Sequence, residues 1–295
     1  MKEIQINKLK EPSFWEEAWS LDREKSLFRR DRKTLQEQVE FWNKRAESFQ
    51  KSVMSEQGEK RVKRVLDWLE KQGVDFSDIE VLDVGAGPGA FSLALADRCK
   101  AVVALEPSEA MVGFLHSEIA KRGCNNIQVI QKAWEEVDII QEGLANRFEL
   151  VFASMSPGIN NLITINKALE CSKEYFYYSS FAGLRESNTL KKLWPALYGG
   201  DIPAWPDQVI FAFNLLYTLG LEIKCAVWED RKSTELSMTE AISSLQDELR
   251  KYGKELSDDE NKLQELIKAN MVDGVILEQT RIRLGQILAR KNDRP

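Results

Sequence analysis

An acid, a run of alternating glycines and a second acid are the residues of this chain best placed to do chemistry. Asp83 interrupts the apolar segment Val81-Leu82-Asp83-Val84, and Gly85, Gly87 and Gly89 follow at every second position. Glycines at such a turn let the backbone approach a ligand closely. The apolar helical pattern beyond them (Leu93, Ala94, Leu95, Ala96) presents free N–H groups at its start. A second apolar segment, Val102-Val103-Ala104-Leu105, ends in Glu106. That acid lies about 20 residues past the glycines, the spacing at which a carboxylate reaches ribose hydroxyls. Glycine turn and strand-end acid together are the start of a nucleotide-binding βαβ unit. Gly85, Gly87 and Ala90 also satisfy the dinucleotide pattern G-x-G-x-x-G/A. A dinucleotide fingerprint, however, keeps the position of Asp83 apolar, because that strand is buried on both faces. An acid there carries a desolvation cost that some partner must offset.

Asp83 to Gly89 reads D-x-G-x-G-x-G, and with Glu106 at the end of the next strand the chain resembles the class I S-adenosylmethionine-dependent methyltransferases. Residues 126–134 look like the third strand of that family and residues 148–154 like the fourth, so the resemblance spans roughly residues 78–180. It implies a doubly wound, mostly parallel, seven-stranded Rossmann-like sheet with an antiparallel last strand, and S-adenosyl-L-methionine as cofactor. It also implies roles. Backbone at Asp83, Gly85, Ala86, Gly87 and Gly89 lies beside the methionine and ribose portions, and Glu106 accepts both ribose hydroxyls. Pro107 or Met111 packs on adenine, Ala133 and Trp134 pass its edge, and Ser154 ends the strand where the methyl group is delivered. The helical stretch Phe41-Trp42 to Phe49 resembles the aromatic-charged helix that closes over the donor in many such enzymes. An amphipathic helix that only packs its aromatics on the domain fits the same pattern.

The acceptor side is less determined. Ser154-Met155-Ser156-Pro157 stands where enzymes that methylate amino groups of DNA bases carry an N-P-P-Y-type motif, and this departure argues against that chemistry. Ser156 and Asn160 are expected to orient a substrate, although Ser156-Pro157 also has the form of a helix N-cap followed by proline. Trp194, Tyr198 and Trp205, in a turn-rich aromatic segment at 184–206, are expected to line the acceptor pocket with Tyr178 of a fifth strand. His116 is the sole histidine, which excludes histidine-rich metal sites and Ser-His-Asp triads, and no metal is expected. Glu135, Glu136 and Tyr178 remain as candidate bases, and no catalytic residue is assigned. An amine, thiolate or carboxylate acceptor needs little base catalysis and suits such a site.

The elements that must hold these residues follow from pattern. Residues 1–55 read as an N-terminal helical cap with recurring aromatics. A core over 56–232 starts with a helix marked by Val62, Val65, Leu66 and Leu69. Residues 233–271 read as an inserted helical pair with capping boxes at Ser237–Glu240 and Ser257–Glu260, docked on its own chain or on a second subunit. Residues 272–295 hold the last strand. A net charge of −6 argues against a nucleic-acid partner, although Lys25 to Lys33 form one basic run. No apolar run is long enough to span a bilayer, and the first residues lack a signal-peptide core, so a cytoplasmic monomer or homodimer is expected. Cys99, Cys124, Cys171 and Cys225 are scattered and are expected to be buried and reduced. The leading reading is methyl transfer to a small molecule. The alternatives are transfer of the donor's aminocarboxypropyl chain and non-catalytic binding of S-adenosylmethionine.

Overall fold

The computed structural model describes residues 6–25, 34–254 and 260–291. Seven strands form one sheet: β1 (Glu80–Val84), β2 (Ala101–Leu105), β3 (Ile127–Ile130), β4 (Phe148–Ser154), β5 (Ser172–Ser187), β6 (Glu222–Leu236) and β7 (Ile276–Arg290), in the order β3-β2-β1-β4-β5-β7-β6. The first five run parallel, and β7 lies antiparallel between β5 and β6. This is the doubly wound sheet that the glycine motif implied. Strand order turns back between β1 and β4, so a crevice opens at their carboxyl ends.

Side chains alternate across the sheet with period two, and the two faces bury different helices. Leu82, Val84, Val151, Ala153, Phe176, Tyr178 and Ile287 face one core, with Trp19 of α1 (Pro12–Lys25), Ile165 and Ala168 of α6 (Leu162–Cys171), and Ala212 and Leu215 of α8 (Gln208–Thr218). Val81, Leu150, Phe152, Tyr177 and Leu288 face the other, against Val65, Leu66 and Leu69 of α3 (Glu56–Lys71) and Leu95 of α4 (Ala90–Ala96). Asp83 shares the parity of Val81 and so points toward α4. α2 (Leu35–Val53) begins with a capping box between Thr34 and Glu37, and α5 (Glu109–Arg122) is capped by Ser108.

The second half departs from the expected bounds. The segment 184–206 is not mainly turn: β5 continues to Ser187, and α7 (Asn188–Tyr198) follows, capped by Ser187. Strands β6 and β7 are long enough to run past the nucleotide-binding part of the sheet as a hairpin. Against it, α7, α9 (Met238–Lys251) and α10 (Glu260–Lys268) enclose a separate core of Leu193, Trp194, Trp205, Leu245, Leu249, Tyr252, Leu263 and Ile267. The helical pair therefore closes its apolar faces on its own chain, through α7. The box at Ser237–Glu240 is formed. The one proposed for Ser257–Glu260, and the basic run beyond Lys25, lie outside the described residues. None of the cysteines is paired. Cys99 and Cys171 are buried, but Cys225 is exposed because β6 is the edge strand, which corrects the expectation of four buried thiols.

Candidate active site

After Val84 the chain turns through Gly85, Gly87 and Gly89 with φ of +77°, +57° and +93°, the left-handed region that glycine enters without a Cβ penalty. Space is as restrictive as φ. A Cβ at Gly85 would lie 2.4 Å from Ser156 Oγ, and one at Gly89 would lie 2.3 Å from Leu115 Cδ1. The amides of Gly85 and Ala86 donate to the carbonyl of Leu105 at 2.8 and 3.0 Å, which pins the turn to the end of β2.

Both acids have the partners their burial demands. Ser92 Oγ on α4 donates to Asp83 Oδ2 at 2.6 Å. Burial nevertheless pushes the Asp83 carboxyl up to about 7; the Ser92 bond opposes this and the nearby Glu106 adds to it. Glu106 takes one backbone N–H on each oxygen, from Gly87 and from Ser108, both at 2.9 Å. Burial raises its pKa, and those two bonds pull it back. Each of its oxygens keeps acceptor capacity for a ligand hydroxyl.

A cleft of about 470 Å³ opens here, within the range of small-molecule sites. Its floor is Asp83, Gly85, Ala86, Gly87, Glu106 and Pro107, and Met111, Trp134, Ser154 and Ser156 complete the sides. Gly89 caps α4 just behind the turn, and Ala133 is buried beside Trp134. Trp42 and Phe49 of α2 form the roof, with the Phe49 ring 3.6 Å from where a Gly87 Cβ would stand. Asn43 Oδ1 accepts from Ser108 Oγ at 2.6 Å and from Ala110 N at 3.2 Å, tying this helix to the start of α5.

Several residues fall elsewhere than expected. Trp194, Tyr198 and Trp205 do not line the cleft. Helix α7 turns Trp194 into the second core, where its ring is 4.8 Å from Tyr198 and 5.3 Å from Tyr252, and Trp205 is 5.5 Å from Tyr252. Tyr178 is buried in the core beneath the sheet. Asn160 is engaged structurally: its Nδ2 donates to the Pro157 carbonyl at 2.8 Å, and Arg23 of α1 donates to its Oδ1, also at 2.8 Å. Ser156 does not start a helix; α6 begins at Leu162 and is capped by Asn161. The Trp134 indole donates to the Thr164 carbonyl at 3.2 Å, so that N–H is already used. Of the candidate bases Glu135 reaches the cleft, while Glu136 is exposed on the short 3-10 helix Trp134–Glu136. Lys167 donates to the carbonyls of Trp134, Glu135 and Val137 at 2.8, 3.2 and 3.0 Å and fixes the loop that carries Glu135.

Sequence reasoning missed Arg61. It stands on α3, lines the cleft, and donates from Nη2 to Ser154 Oγ at 2.9 Å. In sequence it is one of four basic residues, Lys60, Arg61, Lys63 and Arg64, with nothing local to separate it from a solvated helix face.

Fold, glycine turn and strand-end acid define a nucleoside-binding α/β protein. Residues 81–170 match the family described as a methyltransferase domain. A tRNA/tmRNA (uracil-C(5))-methyltransferase of Haemophilus ducreyi is 33% identical over 72 residues, 24% of this chain and 20% of that protein. The chain thus spans only a fifth of the curated relative it matches. Among solved structures, the YcgJ protein of Bacillus subtilis superposes with a TM-score of 0.50 at 12% identity, over 79% of this chain and 100% of its own. Magnesium protoporphyrin IX methyltransferase of Synechocystis PCC 6803 gives 0.49 at 14% identity, over 86% and 97%. Residues 81–170 thus carry a methyltransferase domain, and the sheet order and D-x-G-x-G-x-G turn are those of the class I S-adenosylmethionine-dependent methyltransferases.

Proposed function

We propose that the protein transfers the methyl group of S-adenosyl-L-methionine to a small-molecule acceptor by in-line displacement. The observation that carries this reading is Glu106, buried at the cleft floor with each carboxylate oxygen held by one backbone N–H and oriented for two ribose hydroxyls. Adenine would rest against Pro107 and Met111, and the methionine portion would cross the glycine turn toward Ser154. In the reaction the acceptor's lone pair forms the new bond to carbon, and the C–S pair returns to sulfur, leaving S-adenosylhomocysteine. The donor carries its own leaving group, so the chain's work is alignment of the acceptor at about 3 Å. An acceptor that arrives protonated would have Glu135 within the same cleft, held in place from Asn160 and Lys167.

A small acceptor suits the cleft's size, its apolar roof and the chain's net charge of −6. Among the described residues no helix is long and apolar enough to cross a membrane. Four unpaired thiols support residence in the reducing cytoplasm. Calorimetry with S-adenosylmethionine tests the donor, and identification of the nucleoside by-product tests the group transferred. S-adenosylhomocysteine supports methyl transfer and methylthioadenosine supports aminocarboxypropyl transfer. Tight binding with neither product under an acceptor screen points to a non-catalytic binder.

A further inference from the structure

Strand β6 is the outer strand of the sheet, paired with β7 on one side and, among the described residues, with no strand on the other. Its 15 residues, Glu222–Leu236, make it long for an edge, since strands usually run to about five or six. Among the described residues no backbone hydrogen bond from outside the sheet closes its free side. Every second residue there points an N–H and a C=O outward, a template for another strand. Charged side chains protect such edges against indiscriminate pairing. On β6 they stand in an order that is complementary to itself. Glu222, Lys224 and Asp230 stay about half exposed despite contacts within the chain, Lys224 to Glu222 at 3.1 Å and Arg64 to Asp230 at 3.0 Å, so each keeps an open side.

We propose that β6 pairs with β6 of a second copy of this chain, antiparallel about a two-fold axis at Val227, and joins the two sheets into one. A two-fold axis through the sheet runs the two edges antiparallel, and outward backbone groups must meet outward groups. Opposed residues then share parity, so the axis passes through a residue, and opposed side chains lie on the same face. With the axis on Val227, Glu222 faces Lys232 of the second copy, Lys224 faces Asp230, and the small Ala226 faces the large Trp228, each pair occurring twice. Val227 itself, apolar and 54% exposed, meets its own copy at the centre. An axis at residue 226, 228 or 229 instead sets Glu222 against Asp230, Lys224 against Lys232, or Glu229 against itself, and like charges directly opposed destabilise a strand pair. Asp230 also lines the cleft, so the pairing brings Lys224 of the second copy to the edge of each active site.

Light scattering of the full chain across a dilution series tests this. Wild type is expected to dimerise. Glu222→Lys is expected to weaken the dimer about tenfold or more, because both Glu222–Lys232 pairs become like-charged. Lys232→Glu added to the same chain reverses both pairs and is expected to restore the wild-type constant. Cross-linking reads the register. In a Cys225→Ser background, Val227→Cys stands opposite its own copy, within reach of a disulfide on mild oxidation. Ser233→Cys in that background lies far from its copy along the strands and is expected to stay uncrosslinked. Wild type that remains monomeric up to its solubility limit overturns the proposal without any variant. A dimer that Glu222→Lys leaves intact also overturns it, since the interface then lies elsewhere, as does a loss that Lys232→Glu fails to rescue. A wild-type disulfide between two copies of Cys225 overturns the register, because it puts the axis two residues away.

Discussion

Two aromatic neighbourhoods of this molecule look alike in sequence and do different things in space. Trp42 and Phe49 sit on an amphipathic helix that crosses the glycine turn, and they face an open cleft. Trp194, Trp205 and Tyr252 are joined by Tyr198 around a common centre, and they face one another. The first group leaves ring surface for a ligand. The second consumes its surface in holding α7, α9 and α10 against the long β6–β7 hairpin. Aromatic content therefore does not mark a pocket. What marks it is whether the opposite wall is a side chain of comparable size or a bare backbone, and glycines with positive φ supply the bare wall.

The contrast is sharpest where a ring is removed from the filled region. Trp194→Ala should cost about 3–5 kcal/mol of stability, the range for emptying a large aromatic site, and leave donor affinity of the folded protein unchanged. Denaturant melts paired with calorimetry check both halves; a stable variant with weakened binding would return Trp194 to the pocket. On the cleft side, the charge beneath the turn should govern stability through pH. Asp83 titrates at about 7 folded against 3.8 as its ordinary value. The folded state thus holds this proton where the unfolded chain releases it, and stability should fall as pH rises from about 4 to 7, by about 4 kcal/mol from this residue. Asp83→Asn should flatten that slope in melts across the same window, and an unaltered slope would contradict the assignment.

Smaller effects belong to the ligand. Glu106→Ala should weaken S-adenosylmethionine binding by about 1.5–3 kcal/mol, as for hydrogen bonds to a charged group, and unchanged calorimetry would remove Glu106 from the ribose. Trp42→Ala should cost about 0.5–1.5 kcal/mol of donor or acceptor binding, the worth of an aromatic contact beyond area, with little change in melting. A large loss of stability instead would make the roof another filled core and erase the distinction between the two groups.

How much of this was readable before the fold was known depended on distance along the chain. The glycine turn, the strand-end acid and the cap at Ser237 each act within a few residues, and the fold class followed from the first two. Ser156-Pro157 has the form of a helix start, but Asn161 is the cap, with Thr164 three residues on to complete a capping box that Ile159 cannot offer Ser156. In that box the Thr164 N–H donates to Asn161 Oδ1 at 2.8 Å, and Glu16 of α1 accepts from the next amide, Leu162 N, at 2.7 Å. Trp194, Tyr198 and Trp205 were misassigned because α7 and the length of β5 to β7 emerge only when distant elements pack. Sequence alone determined the sheet's class, its glycine turn and the two acids, since backbone conformation and short spacings require those residue types there. Only the tertiary structure decided which aromatics meet empty space, which polar groups were already occupied, and which of four neighbouring cations entered the cleft. Those outcomes are set by packing between segments far apart in the chain, and no local pattern encodes them.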